Sequence, residues 1–184
     1  MLKSMAARFL ASALAMNAAS AQAFALTSPD IKPGSRIGDE FAFNRYGCAG
    51  KNVSPALAWS GAPKATKSFA LMVHDSDAPV AGGFWHWVVF NISADAQGLA
   101  KGAGDPKSNA APPGATQGRN DFGAQGYGGP CPPAGDAPHH YHFMLFALDA
   151  EKLAIDPTAT GAVVAAKLRV HTIAKTEFVG LYGR

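Results

Sequence analysis

The sequence is poor in cysteine and in charge. Of its 184 residues only 16% are Asp, Glu, Lys or Arg, and it holds two cysteines, Cys48 and Cys131. So few thiols exclude a disulfide-dense small fold and a multi-cysteine zinc site. There is no internal repeat, no long polar tract and no linker, so one domain with a sizeable core is expected. Past the N-terminus no apolar run approaches the roughly 20 residues that a membrane-spanning helix needs. The basic residues are scattered along the chain, which argues against nucleic acid or an anionic membrane surface as a partner. No G-x-S-x-G elbow occurs, and Cys131 sits between prolines without an evident activating neighbour. Acyl transfer therefore has little to work with.

The N-terminus is distinctive. "MLKSMAARFLASALAMNAASAQA" places Lys3 and Arg8 first, then the apolar "FLASALAM", then small residues ending Ala21-Gln22-Ala23. Basic, apolar and small-residue regions in that order read as a secretory leader. Asn17 and Ser20 interrupt the apolar run too early for a membrane anchor. The expectation is a leader over residues 1–23, cleaved after Ala23 with Ala25 the near alternative, and a single domain over 24–184 in the periplasm or outside the cell. Cleavage leaves 14 basic against 13 acidic residues, a nearly neutral protein. In an oxidising compartment Cys48 and Cys131 are a disulfide candidate. Such a bridge would close a loop of about 83 residues and contribute roughly 4–5 kcal/mol in the chain-entropy picture. Spacing alone leaves open whether the two are neighbours.

What the chain has in quantity is turn formers: 20 glycines and 13 prolines, spread throughout. "SFALMVH" (68–74), "WHWVVFNI" (85–92) and "HYHFMLFALD" (140–149) read as strands, rich in aromatic and β-branched residues. All three are apolar on both faces at their centres, so they belong in a covered sheet. "TEFVGLYG" supplies a last strand. One helix is expected over "PTATGAVVAAKLRVH", with Thr158 or Thr160 as its cap. More than 40 residues of loop run from Ser93 to Pro138, and loops of that length in a compact domain are usually functional. The fold class is mostly β, with a helix near the C-terminus and an elaborate loop face.

Four stretches carry chemistry. Asp75-Ser76-Asp77-Ala78-Pro79 ends a buried strand, though Asp and Pro are ordinary turn formers there. His86 lies between Trp85 and Trp87, a setting in which a histidine is more often a satisfied core residue than a ligand. In "GRNDFG" (118–123), Asn120 and Asp121 serve local backbone bonds as readily as a substrate. "GGPCPPAGDAPHHYHF" (128–143) sets three histidines just after a proline-rich turn. These could converge if their strands are neighbours.

Together with "NVSPALAWSGAP", "SDAP", "FWHWVVFNI", "GRNDFGAQGYGGPCPP", "HHYHF" and "FVGLYG", the chain resembles the phosphatidylethanolamine-binding proteins, also called Raf-kinase-inhibitor-like proteins, in their bacterial exported branch. The resemblance covers nearly the whole mature chain. It implies a β-sandwich-like fold of antiparallel-rich sheets with a small pocket for phosphate or phosphoethanolamine-type anions. By motif the pocket takes Asp75, Asp77 and Pro79 from D-x-D-A-P, His86 from the Trp-His strand, Gly129 and Pro130 to Pro133 from the loop, and His139 and Tyr141 from H-x-Y. It also implies a cis Ala78–Pro79 bond. His140 stands where many relatives carry arginine, and His142 has no assigned role.

Residue chemistry fits an anion. The imidazoles of His86 and His139 and the Tyr141 hydroxyl can donate to phosphoryl oxygens. Within "GGPCPP" only Gly128, Gly129 and Cys131 keep an N–H. One carboxylate would orient a histidine and favour its charged form, and the other would face an ammonium. Affinity should then rise as pH falls from 8 toward 6. The resemblance implies no cofactor, no metal and no catalysis. Two rivals remain: a metal enzyme using His139 or His140 with His142, His86 and an aspartate, and an extracytoplasmic inhibitor of a protein target.

Overall fold

The computed structural model of the protein describes residues 22–184. Most of the expected leader lies outside the described residues. Eight strands and one helix follow in the order β1 (Ala25–Thr27), β2 (Leu57–Ser60), β3 (Ser68–Asp75), β4 (Phe84–Ser93), β5 (Gly98–Leu99), β6 (Thr116–Gln117), β7 (His139–Leu148), α1 (Gly161–Leu168) and β8 (Thr172–Tyr182). A single-turn 3₁₀ helix spans Asp39–Phe41. No helix among the described residues is long and apolar enough to cross a membrane.

The strands form two antiparallel sheets, ordered β1-β2-β5 and β6-β4-β3-β7-β8. The larger sheet explains the doubly apolar strands. Along β3 and β7, side chains alternate between two covered faces. Phe69, Leu71, Val73, Phe143 and Leu145 meet Leu26, Leu57 and Trp59 of the small sheet in the main core. Ala70, Met72, Met144 and Leu148 face the other way, onto Val164 and Leu168 of α1. The expected β-sandwich-like architecture is what the chain adopts.

The helix is shorter than the sequence pattern suggests. Pro157 to Ala159 form a turn around Asp156, whose carboxylate accepts from the Thr158 backbone N–H and hydroxyl. Thr160 is the cap, accepting from Val163 N at 3.4 Å. At the far end the Thr172 hydroxyl donates to the Leu168 carbonyl and the chain turns into β8.

The loops gather at the end of the large sheet where β3 ends and β7 begins. Cys48, from the segment between the 3₁₀ helix and β2, is bonded to Cys131 of the long loop, with Cα atoms 5.9 Å apart. The Arg184 guanidinium joins the same two loops, donating from Nε to the Pro132 carbonyl and from Nη1 to that of Gly47.

Candidate functional site

Pairing of β3 with both β4 and β7 brings three of the four chemical stretches together. Asp75 lies opposite Phe84 on one side and Tyr141 on the other. On β7 the period of two sends His139 and Tyr141 inward and His140 and His142 toward the α1 face. On β4 a register shift between Val73 and His74 breaks the alternation. Trp85 stays on the outer face with its ring 4.2 Å from that of His74. His86 turns inward against Tyr141, ring centroids 5.1 Å apart.

These residues border a cavity of about 320 Å³ lined by Asp75, Pro79, His86 and His139 together with Phe84, Phe122, Pro132, Pro133 and Arg184. Its rim carries Tyr46 and Val80, exposed at 71% and 54%. The size lies within the small-molecule range, and most of the wall is aromatic or proline.

The two cavity histidines are held differently. His86 Nδ1 is 2.7 Å from the Gly128 carbonyl and 3.2 Å from that of Gly129. Carbonyls only accept, so Nδ1 carries the proton and Nε2 of the neutral ring is an acceptor. Burial pulls the His86 pKa down to about 4, against the opposing pull of the Gly128 carbonyl and the Asp75 charge. His86 is therefore neutral between pH 6 and 8, and its Nε2 can accept a hydrogen bond but cannot donate one to a phosphoryl oxygen. That corrects the expectation from residue type.

His139 Nδ1 donates to Asp75 Oδ2 at 2.8 Å. The other carboxylate oxygen, Oδ1, accepts from the backbone N–H of Asp77 and Ala78, so Asp75 is fixed from both ends of its carboxylate. His139 Nε2 lies 3.6 Å from Asp136 Oδ2, beyond a good hydrogen bond. With Nδ1–H committed to Asp75, Nε2 donates only when the ring is protonated.

The remaining expected residues fall behind or beside the cavity. Asp77 binds His140 instead, accepting from its backbone N–H at 2.6 Å and its Nδ1 at 2.8 Å. That backbone N–H first, then the imidazole, hold the Asp77 carboxyl below the usual carboxylate range. Tyr141 is 1% exposed and its hydroxyl has no partner among the described residues. Burial, then the Asp75 charge, push it well above the usual phenol range. It backs His86 and does not line the cavity. Gly129 and Pro130 are also buried behind the wall. The Gly128 N–H goes to the His86 carbonyl and the Gly129 N–H to Asn52 Oδ1, so neither is free for an anion. At Gly129 a side chain would overlap the Phe41 carbonyl, which is why glycine is needed.

The Ala78–Pro79 bond is not cis, since the described residues contain no cis peptide. Val80 N–H donates to the Ala78 carbonyl at 2.7 Å, closing a three-residue turn around Pro79. That ring closes only if the Ala78 oxygen and the Pro79 Cα lie on the same side of the peptide, which is the trans geometry.

The histidine set of the metal reading is divided. His86 and His139 face the cavity, whereas His140 and His142 face away, His142 lying 3.3 Å from the Ser76 hydroxyl. Among the described residues no group of three or more His, Cys, Asp or Glu is arranged to hold a metal ion. Tyr46, Phe84, Phe122 and Arg184 were not legible from motif chemistry. The "GRNDFG" stretch held the one usable signal, though in Phe122 and not in its polar neighbours. Asp121 instead accepts from the Trp85 backbone N–H, and Asn120 bonds within its own loop.

The family model described as phosphatidylethanolamine-binding protein matches residues 27–183. The chain belongs to that family. It is 48% identical over 164 residues to YbcL of Escherichia coli, covering 89% of this chain and 90% of that protein. It is 40% identical to YbhB of the same organism, covering 85% of this chain and 98% of the relative. The crystal structure of E. coli YbcL, described as a new member of the mammalian family, superimposes with a TM-score of 0.85 at 46% identity. That match covers 88% of this chain and 98% of the other. The comparison agrees with the two-sheet fold derived above.

Proposed function

We propose that this family member is an exported binding module for small phosphorylated or anionic ligands of the phosphoethanolamine type, without catalysis of its own. The observation that carries the reading is the pair of unengaged imidazole edges in one cavity. His86 offers an Nε2 acceptor to a proton-bearing group such as an ammonium or a phosphate hydroxyl. His139, whose Nδ1–H is held by Asp75, offers an Nε2–H to a phosphoryl oxygen in its imidazolium form. The Arg184 guanidinium adds a fixed positive charge to the wall, and the aromatic and proline surface suits the apolar part of an ester. No serine or threonine lines the cavity, and its one cysteine is in the disulfide, which supports binding over covalent catalysis.

Calorimetric titration with phosphoethanolamine tests this. His139→Gln should weaken binding at pH 6 by about 10- to 100-fold. His142→Ala should change little. Equal loss in His142→Ala, or full affinity in His139→Gln, would overturn the assignment.

Export is proposed with cleavage after Ala23. That site leaves intact the Phe24 ring stacked on Phe69 at 6.2 Å and the pairing of Ala25 with Ser60. Cleavage after Ala25 would remove both. Intact-mass measurement of the secreted protein should show an N-terminal Phe24; an unprocessed chain would contradict export.

A further inference from the structure

A second cavity, of about 390 Å³, adjoins the first at Phe122. Phe122 is the residue common to both linings, and its ring is stacked on Phe43 at 4.0 Å, so an aromatic partition separates them. The second cavity gathers Arg45, Lys51 and Lys107 from three places in the chain. None of these side chains is engaged in an ion pair or hydrogen bond among the described residues. Asp105 is the one carboxylate in the lining. One of its oxygens already accepts from the Lys107 backbone N–H.

The setting is built. Its floor is Gly104, Asn120 and Tyr127, all buried. The Tyr127 hydroxyl donates to the Phe41 carbonyl and Asn120 bridges Gly126 and Ala124, so the floor is rigid. Arg45 and Lys51 ride on a loop pinned by the disulfide at Cys48 and by the Gly50 N–H to the Phe43 carbonyl. At its end Asn52 is held at φ 54°, its amide spanning the Tyr127 carbonyl and the Gly129 N–H. Cations on a pinned loop lose little further freedom on binding. The lining also holds the Asn44 and Gln125 amides, for which no intramolecular hydrogen bond is formed among the described residues. Three cations against one carboxylate, in a nearly neutral protein, concentrate positive potential in one concavity.

We propose that this second cavity binds a small organic polyanion, one carrying two or more phosphate or carboxylate groups. The groups are spread by Arg45, Lys51 and Lys107, and the side-chain amides complete the donor set. The site is distinct from the histidine cavity and does not depend on the function proposed for it.

The probe is pyrophosphate, with citrate as a carboxylate counterpart, titrated into the wild-type protein by calorimetry and by amide NMR. Saturable binding is expected, with shifts at Gly104, Asn120 and Tyr127. Arg45→Gln, Lys51→Gln and Lys107→Gln should each weaken it roughly three- to tenfold. The controls Lys64→Gln and Lys152→Gln, outside the lining, should leave it unchanged. Salt at about 1 M, where the Debye length is near 3 Å, should suppress it. His139→Gln should not affect it, which separates this site from the other. No saturable binding of either probe, or binding that survives all three substitutions, would overturn the proposal. So would binding lost in His139→Gln while the cation variants retain it.

Discussion

His86 donates Nδ1–H to backbone carbonyls, whereas His139 donates it to the Asp75 carboxylate. For His86 this setting leads to a prediction. The His86 pKa is lowered to about 4 by burial, while in the unfolded chain it returns to about 6.5. Above that value both states are neutral and nothing is lost. Between about pH 6.5 and pH 4 the unfolded chain binds a proton that the folded protein excludes, so stability falls with acid, by roughly 3 kcal/mol across the window. His86→Asn keeps a donor for the Gly128 carbonyl but cannot titrate. Denaturant unfolding at pH 7 and pH 4.5 should show a smaller acid loss in His86→Asn than in the wild type; equal losses would contradict it. Tyr141 gives a second case. Its buried hydroxyl has no hydrogen-bond partner among the described residues, so Tyr141→Phe should leave stability unchanged or raise it by about 1 kcal/mol, measurable by the same unfolding experiment. A loss above that size would mean that the hydroxyl is bonded in solution.

At the scale of the element, β4 shows where pattern reading succeeds and where it stops. Its composition announces a strand covered on both faces, and β3 and β7 announce themselves likewise. The bulge that sends Trp85 outward and His86 inward is invisible to an alternating pattern, because both tryptophans are apolar and fit either face. The trans geometry at Pro79 escaped for another reason. The cis expectation was carried by motif likeness, and the hydrogen bond from Val80 to the Ala78 carbonyl was not readable from that motif. Helix α1 was readable in kind but not in length, since Asp156 competes for the first turn with its own side-chain bonds. The cap at Thr160 is expected to be worth about 0.5–1 kcal/mol, at the low end because the bond to Val163 N is 3.4 Å long. Thr160→Ala measured by chemical denaturation checks it, with Thr158→Ala as the comparison.

Across the whole molecule, the scattered basic residues of the sequence become one cationic cavity only after the loops are folded, which no linear count could reveal. Asp75, His86 and His139 were legible through the motifs of the family resemblance, whereas Phe122 and Arg184 reach the same cavity by long-range loop closure. That closure rests on the disulfide, which joins residues 83 apart in sequence. Thiol titration of the unfolded, unreduced protein should find no free cysteine. Reduction should lower the unfolding free energy by about 4 kcal/mol.

The central claim is that the histidine cavity takes a phosphoethanolamine-type ligand through His86 and His139. The most direct test is a side-chain ¹⁵N–¹H spectrum of the six histidines recorded at pH 6 as phosphoethanolamine is added. The account predicts saturable shifts at the Nε2 atoms of His86 and His139, with His74, His142 and His171 unmoved. Shifts confined to His140 and His142, or none at any histidine, would contradict it.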